Sequence, residues 1–363
     1  MTHFSAVDTC PWGSELYEQW CGLVAEPHQH PDWLLAWWEA FSQPADRLCL
    51  LKVTNGDGRL LAIAPLYVSS GRLRLLGDGA ACTDHAEMLV GTDDAEIYAG
   101  ALQWLIDARA ALEWNRIDFE AVDRDGPTHR LFSNLGEIPT GRVLLSDALP
   151  TCCIELPVNW ESYLAGLSRN HRKRCRRWCR GYLDTGRVIT RSTVEDWHPD
   201  VAFELLVTLH NERRSQLGGG AFDDPRFERF LHTAIQRLAP RGMAEIRAIQ
   251  MDGRFLAVEC LLLGPRTMYA YQSGLAVAGL EHNAGALSMI TLVQSAIERG
   301  LQYLDLMRGA EEYKFHWGAR IQPLQRIGWW PATVGGALGH SSSLFWQFSK
   351  SVMQTVAAGA SRA

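Results

Sequence analysis

The chain lacks any Cys-x-x-Cys pair, although it contains nine cysteines. Without that spacing there is no zinc ribbon and no thioredoxin-like redox motif to read. An odd count with Cys152 and Cys153 adjacent suits reduced thiols in a cytoplasmic protein better than a disulfide framework. No apolar run approaches the roughly 18 residues of a membrane span. Met1 to Trp20 has neither a basic start nor an apolar core, so no secretory leader is expected. Positive charge is also short: the net charge of −6 excludes the whole chain as an electrostatic nucleic-acid binder. His28-Gln29-His30 lies in a Pro-flanked loop without a third ligand, and no metal is expected.

What is present is an ordinary globular composition, 47% hydrophobic and 21% charged, over 363 residues. Length over roughly 150 suggests two domains. The 14 tryptophans suit core packing and aromatic-lined clefts. Residues 1–30 read as a loop-rich lead-in. A helix follows from Pro31 to about Phe41, with Trp33, Leu34, Trp37, Trp38 and Phe41 at helical spacing. Leu48–Val53 and Leu60–Val68 flank an Asn-Gly-Asp-Gly hairpin turn. Strands are expected at 73–76, 116–120 and 142–145, and helices at 95–112 and 128–135. The order then restarts. Strands are expected at 152–156, 188–190, 244–250, 255–263, 267–273, 303–306 and 321–330. Helices are expected at 160–166, 169–184, 201–216, 225–238 and 285–299. An apolar helical stretch is expected near 344–356.

Asp57-Gly58-Arg59-Leu60-Leu61-Ala62-Ile63 aligns with Asp252-Gly253-Arg254-Phe255-Leu256-Ala257-Val258. Both segments enter a strand from a hairpin turn, and both lead through a strand and a long helix to an acid between apolar residues, Asp118 and Asp305. The shared order points to duplication. Each half reads as an α+β unit with a mixed, mostly antiparallel sheet, with a boundary near Leu149-Pro150. The copies part after the acid. Only the second continues into Arg308-Gly309 and Tyr313-Lys314-Phe315-His316-Trp317-Gly318. The second half is therefore expected to carry the chemistry and the first to form one wall of a cleft.

Lys314, between aromatics, reads either as a desolvated donor to developing negative charge or as a solvated lysine on an aromatic-packed helix. Asp84 reads as a base or a loop cap, and His210 as a base or a hydrogen-bonded structural histidine. Arg308 reads as a carboxylate or phosphate clamp or as a partner of Asp305 or Glu311. Seven of the twelve residues 169–180 are Arg or Lys and none is acidic. Arg169, Arg172, Lys173, Arg176 and Arg180 share a face, which suits a polyanionic ligand or a basic surface balancing an acidic chain.

These features together resemble the GNAT acyltransferase superfamily, and within it the double-domain CelD/BioF-type acetyltransferase-like branch, related to the Fem-type peptidyltransferases of cell-wall synthesis. The likeness covers most of residues 30–330. It implies tandem GNAT-like domains at 1–150 and 151–330, with a tail at 331–363 and a cleft between the domains. It makes Lys314 the contact to the acyl group under transfer, with Trp317 and Gly318 at the matching spacing. It places Tyr269, Tyr271 and Ser273 on a strand facing the acceptor and Asp84 near the acceptor amine. It sets Arg169, Arg172 and Arg176 against acceptor phosphates. The donor's pyrophosphate would lie at Asn283, Gly285 and Ala286 with Arg308. The stretch Glu281-His282-Asn283-Ala284-Gly285-Ala286 departs from the family's Gln/Arg-x-x-Gly-x-Gly/Ala pattern, which leaves the donor open. The expected activity is acyl transfer from acyl-CoA to an amine of a small-molecule or envelope or polysaccharide precursor, the acceptor being a small molecule or nucleotide-linked. Aminoacyl transfer from tRNA and a non-catalytic binding module in exopolysaccharide assembly are the alternatives.

Overall fold

The computed structural model describes residues 2–332, apart from residues 25, 80–82, 125, 133–140, 196 and 216–217. The first half runs β1 (His3–Val7), α1 (Glu15–Leu23), α2 (Pro31–Phe41), β2 (Arg47–Thr54), β3 (Leu60–Ser69), β4 (Arg72–Leu75), β5 (Leu89–Val90), α3 (Ala95–Asp107), β6 (Arg116–Asp123), α4 (Pro127–Arg130) and β7 (Gly141–Asp147). The lead-in is thus not a loop. β1 pairs antiparallel with β2, His3 opposite Thr54, and α1 is capped by Ser14, whose hydroxyl accepts the Tyr17 N–H at 3.3 Å. The helix expected to Leu112 stops at Asp107; of the one expected at 128–135 the described part holds a single turn, Pro127–Arg130, and residues 133–135 lie outside the described residues.

The His-Gln-His segment has a local explanation. The His30 ring caps α2 by accepting the Asp32 N–H at 3.1 Å. Pro31 fills the first helical position, where its missing N–H costs nothing.

The second half runs β8 (Thr151–Glu155), α5 (Trp160–Gly166), α6 (Arg169–Trp178), β9 (Val188–Ser192), α7 (Pro199–Ser215), α8 (Pro225–Leu238), β10 (Ala244–Met251), β11 (Arg254–Leu263), β12 (Thr267–Leu275), α9 (Ala284–Glu298), β13 (Tyr303–Arg308), α10 (Glu312–His316), β14 (Arg320–Gln322) and β15 (Leu324–Pro331). The basic helix ends at Trp178 and continues as a π-helical turn, Cys179–Leu183. The expected helix near 344–356 lies outside the described residues.

The main path of the first sheet is β1-β2-β3-β4-β6-β15-β7, with β5 pairing β3, and the second is β9-β10-β11-β12-β13-β8-β14. Place by place the two paths match, each with one parallel pair: β4 with β6 and β12 with β13. The strand expected at 321–330 is split by Pro323, which has no N–H for the ladder. Its first piece, β14, stays in the second sheet and its longer piece, β15, crosses into the first. After Pro150 the chain passes from β7 of the first sheet to β8 of the second. The first sheet therefore takes its sixth strand, β15, from the far end of the second half.

The lobes share a core. The matched helices α2 and α8 pack together, and Trp20, Trp33, Phe203, Phe227 and Phe230 lie in one buried cluster. The Trp33 and Phe230 rings meet edge-on at 4.7 Å, a geometry worth about 1 kcal/mol beyond the area it buries. Arg241, just past α8, reaches Asp32 at 2.7 Å, and Asp32 also accepts the Tyr17 hydroxyl at 2.7 Å.

Candidate functional site

β12 and β13 are paired only where Thr267–Tyr269 faces Tyr303–Asp305, and beyond that they part. Just past that pairing β12 carries a bulge. Gln272 faces Cys260 and Ala270 faces Leu261, which leaves Tyr271 outside the ladder. The fork opens into a cavity of about 440 Å³ at the carboxyl ends of the two strands, the place where open sheets offer room for a ligand. α6 contributes His171, Arg174 and Trp178 to its wall, α9 contributes Gly285 and Ala286, and the α10 region contributes Tyr313, His316 and Trp317.

Two features set the electrostatics. The N-terminus of α9 opens on the cavity behind Asn283, which sits at φ +56° and makes no side-chain cap. The first N–H groups of such a helix lack intrahelical partners and favour anions, and Arg174 adds a cation to the same cavity. The same cavity is lined by Glu259 of β11, directly across the ladder from Ser273. Burial pushes its pKa up to about 7, against the pull of the Ser288 hydroxyl at 2.9 Å. Beside it burial, with the Arg174 charge, holds His171 down at about 4. Its ring stands edge-on to Trp317 at 4.5 Å.

The segment after β13 is an anchored turn. One Asp305 oxygen accepts the Met307 N–H at 2.6 Å, and Met307 sits at φ +57°. Gly309 follows at φ +103°, a conformation suited to glycine. Lys314 is 3% exposed, and its ammonium reaches the Met307, Arg308 and Gly309 carbonyls and a Glu311 oxygen, all at 3.0 Å. Three donors facing four acceptors are fully used. The sequence reading gave Lys314 an acyl contact. In the structure it closes this turn from inside the second lobe and does not line the cavity.

The other expected site residues fall into separate places. Ser273, Gly285, Ala286 and Trp317 line the cavity. Asp84 is fully buried and committed to Arg308, accepting its backbone N–H at 3.0 Å and its guanidinium at 2.8 and 2.7 Å. The ion pair of Arg308 is with Asp84 of the first lobe. His210 is buried, with Nδ1 2.9 Å from the Ser273 carbonyl and Nε2 toward Gly220. Tyr269 donates to Glu26 at 2.8 Å, and Tyr271 packs against Trp33 and Phe227 on the face shared with the first lobe. Arg172 bonds the Ala165 carbonyl at 3.3 Å, Arg176 pairs with Glu161 at 2.7 Å, and Arg169 is exposed. The cavity takes Arg174 from that helix instead.

Glu259 and Arg174 are the functional candidates that sequence reasoning passed over. Glu259 had a signal: it is the one acidic residue within the apolar run Phe255–Leu263. Arg174 had none, because in a run of seven basic residues only the fold selects which one borders the cavity. Among the described residues, no group of His, Cys, Asp or Glu could hold a metal ion and no helix is long and apolar enough to cross a membrane.

Residues 169–315 match the family model of the acetyltransferase (GNAT) domain. No curated protein matches the chain. Among solved structures, FemX superposes with a TM-score of 0.61 at 12% identity, over 86% of this chain and 95% of that one. The C-terminal domain of a putative lysylphosphatidylglycerol synthetase from Agrobacterium fabrum superposes at 0.54 and 10% identity, over 90% and 95%. L-PGS from Bacillus licheniformis superposes at 0.53 and 13% identity, over 85% and 93%. Residues 169–315 are thus similar to the GNAT domain, and the fold of the whole chain is similar to that of FemX.

Proposed function

We propose that this chain is a cytoplasmic N-acyltransferase that takes its acyl group from acyl-CoA and delivers it to an amine on a small-molecule or nucleotide-linked acceptor. The observation that carries the reading is the open fork of β12 and β13. It leaves a cavity between an uncapped helix N-terminus and a carboxylate whose pKa lies near 7. The residues present fit such a donor. The first turn of α9 and Arg174 would hold its phosphates, and the apolar Leu292 and Leu306 would flank its acyl arm.

Glu259 is the general base in this reading. A carboxylate with a pKa near the working pH accepts the amine's proton as the new C–N bond forms, and can return it to the departing thiolate as the C–S bond breaks. Asp84 and His210 are less suited, because Arg308 occupies the first and the Ser273 carbonyl holds the second outside the cavity lining. Lys314 would act by holding the turn beside the cavity rather than by touching the acyl group.

The test is calorimetric titration with acetyl-CoA, longer acyl-CoAs and charged tRNA. Saturable binding of acyl-CoA that weakens in Arg174→Gln supports the reading. Binding of charged tRNA alone would replace it with an aminoacyl donor. The exposed basic residues of α6 outside the cavity favour that second reading, and one of the similar folds is named a putative lysylphosphatidylglycerol synthetase. Binding of neither would leave a non-catalytic module.

A further inference from the structure

We propose that Asp84 and His85 of the first lobe are positioning residues for the second lobe's cavity. They hold the turn after β13, which through Lys314 sets the α10 wall. The proposal rests on the reading of that cavity as the donor site.

The coupling is a continuous chain of contacts. Asp84, fully buried, binds the Arg308 backbone N–H and its guanidinium, so it fixes both the chain and the side chain of that residue. The His85 ring spans the seam between the lobes: Nδ1 lies 2.5 Å from Asp123 at the end of β6, and Nε2 lies 3.2 Å from Asp305 of β13. The other oxygen of Asp305 accepts the Met307 N–H, and the Met307, Arg308 and Gly309 carbonyls converge on Lys314. Lys314 lies between cavity residues, with Tyr313 before it and His316 and Trp317 after it. His85 at φ +60° and Met307 at φ +57° both occupy the left-handed region that side-chain-bearing residues avoid. Such conformations persist only where surrounding contacts over-determine them, and they cluster at functional sites. Here one lies at each end of the same bridge.

The environment of His85 sets the sign of a pH dependence. Asp123 and Asp305 face its nitrogens, Gln29 donates to its carbonyl, and the His28 and Tyr269 rings lie 5.8 and 6.3 Å away. Glu26 sits on Tyr269, Thr151 on Asp305, and Asp84 beside it is paired with Arg308. Only the imidazolium donates to both carboxylates. Burial opposes that form, and the two carboxylates outweigh burial and raise its pKa well above the ordinary value. The bridge is therefore complete below that raised value and opens as pH climbs through it.

Hydrogen–deuterium exchange of the full-length protein without ligand tests the clamp. In His85→Gln and Asp84→Asn, amides of residues 305–318 are expected to exchange about tenfold faster, with the β10–β11 hairpin unchanged. Acetyl-CoA, the probe ligand, should bind about tenfold more weakly, and its wild-type affinity should fall at alkaline pH along a limb that His85→Gln removes. If either variant fails to fold, the wild type decides. Its exchange at 305–318, corrected for the intrinsic pH effect, should accelerate with rising pH while β10–β11 does not. Unchanged exchange at 305–318 overturns the proposal. A wild type that ignores acetyl-CoA, yet shows this local acceleration, would overturn the donor reading and leave the clamp standing.

Discussion

The two lobes place the same backbone fork in opposite states. In the first, β4 and β6 pair only at Arg72–Leu73 with Arg116–Ile117 before diverging. The fork they leave is spanned by ion pairs. Arg74 reaches Asp78 at 2.8 Å and Glu120 at 3.9 Å, and Arg326 of β15 reaches Asp118 at 2.7 Å and Glu120 at 3.3 Å. In the second lobe the matching acid, Asp305, turns toward the seam and the fork stays open. One duplicated fold thus gives one lobe stitched by its own charges and one with room for a ligand. Whether a fork binds anything is decided by a few side chains, while the strand order is common to both.

The contrast breaks hardest at Glu259. Glu259→Gln is expected to lower kcat about 100-fold or more, read by steady-state kinetics, and to abolish the acid limb of the wild-type rate near pH 7. The same residue leaves a stability signature. Its folded pKa, about 7, lies above the ordinary 4.5, so between those values the folded state holds the extra proton. Stability should therefore fall as pH rises through that window, and Glu259→Gln should flatten the fall in thermal melts at pH 5 and pH 8. Lys314→Met is expected next, costing on the order of 3 kcal/mol in urea unfolding, because several buried carbonyls lose their donor together, and weakening donor binding as well. Arg174→Gln should weaken acetyl-CoA binding about tenfold at low salt and less at high salt, in calorimetric titration. Smallest is Arg326→Gln in the first lobe. It should cost about 1 kcal/mol and leave acetyl-CoA affinity unchanged. A change in affinity there would mean the first fork is not merely structural.

Much of this was legible in the sequence because the signals were local or repeated. The Asp-Gly hairpins, the paired acids at 118 and 305 and the periodic tryptophans of α2 gave the duplicated sheet-and-helix order. Short elements escaped: β1 has only five residues, and α1 is nine residues with two buried ones, Tyr17 and Trp20. Lys314 could be singled out by its aromatic neighbours, but not its partners. The carbonyls it binds come from a turn whose shape depends on Asp305, and through Asp84 and His85 on the other lobe. Pairings more than two hundred residues apart, such as Asp84 with Arg308, leave no periodic trace. Pro150 was read as the boundary, but Pro323 was passed over inside the strand expected at 321–330, although it breaks a ladder, and nothing local says that the strand beyond it joins the first sheet.

The crossing of β15 has a consequence for synthesis. The first sheet needs β15, so it cannot close until the ribosome has passed residue 331, long after the other strands of that sheet have emerged. Until then β6 and β7 wait with an empty place between them, an exposed edge of the kind that invites wrong partners. A nascent chain stalled at residue 322 would carry every cavity residue and still lack the piece that finishes its N-terminal lobe.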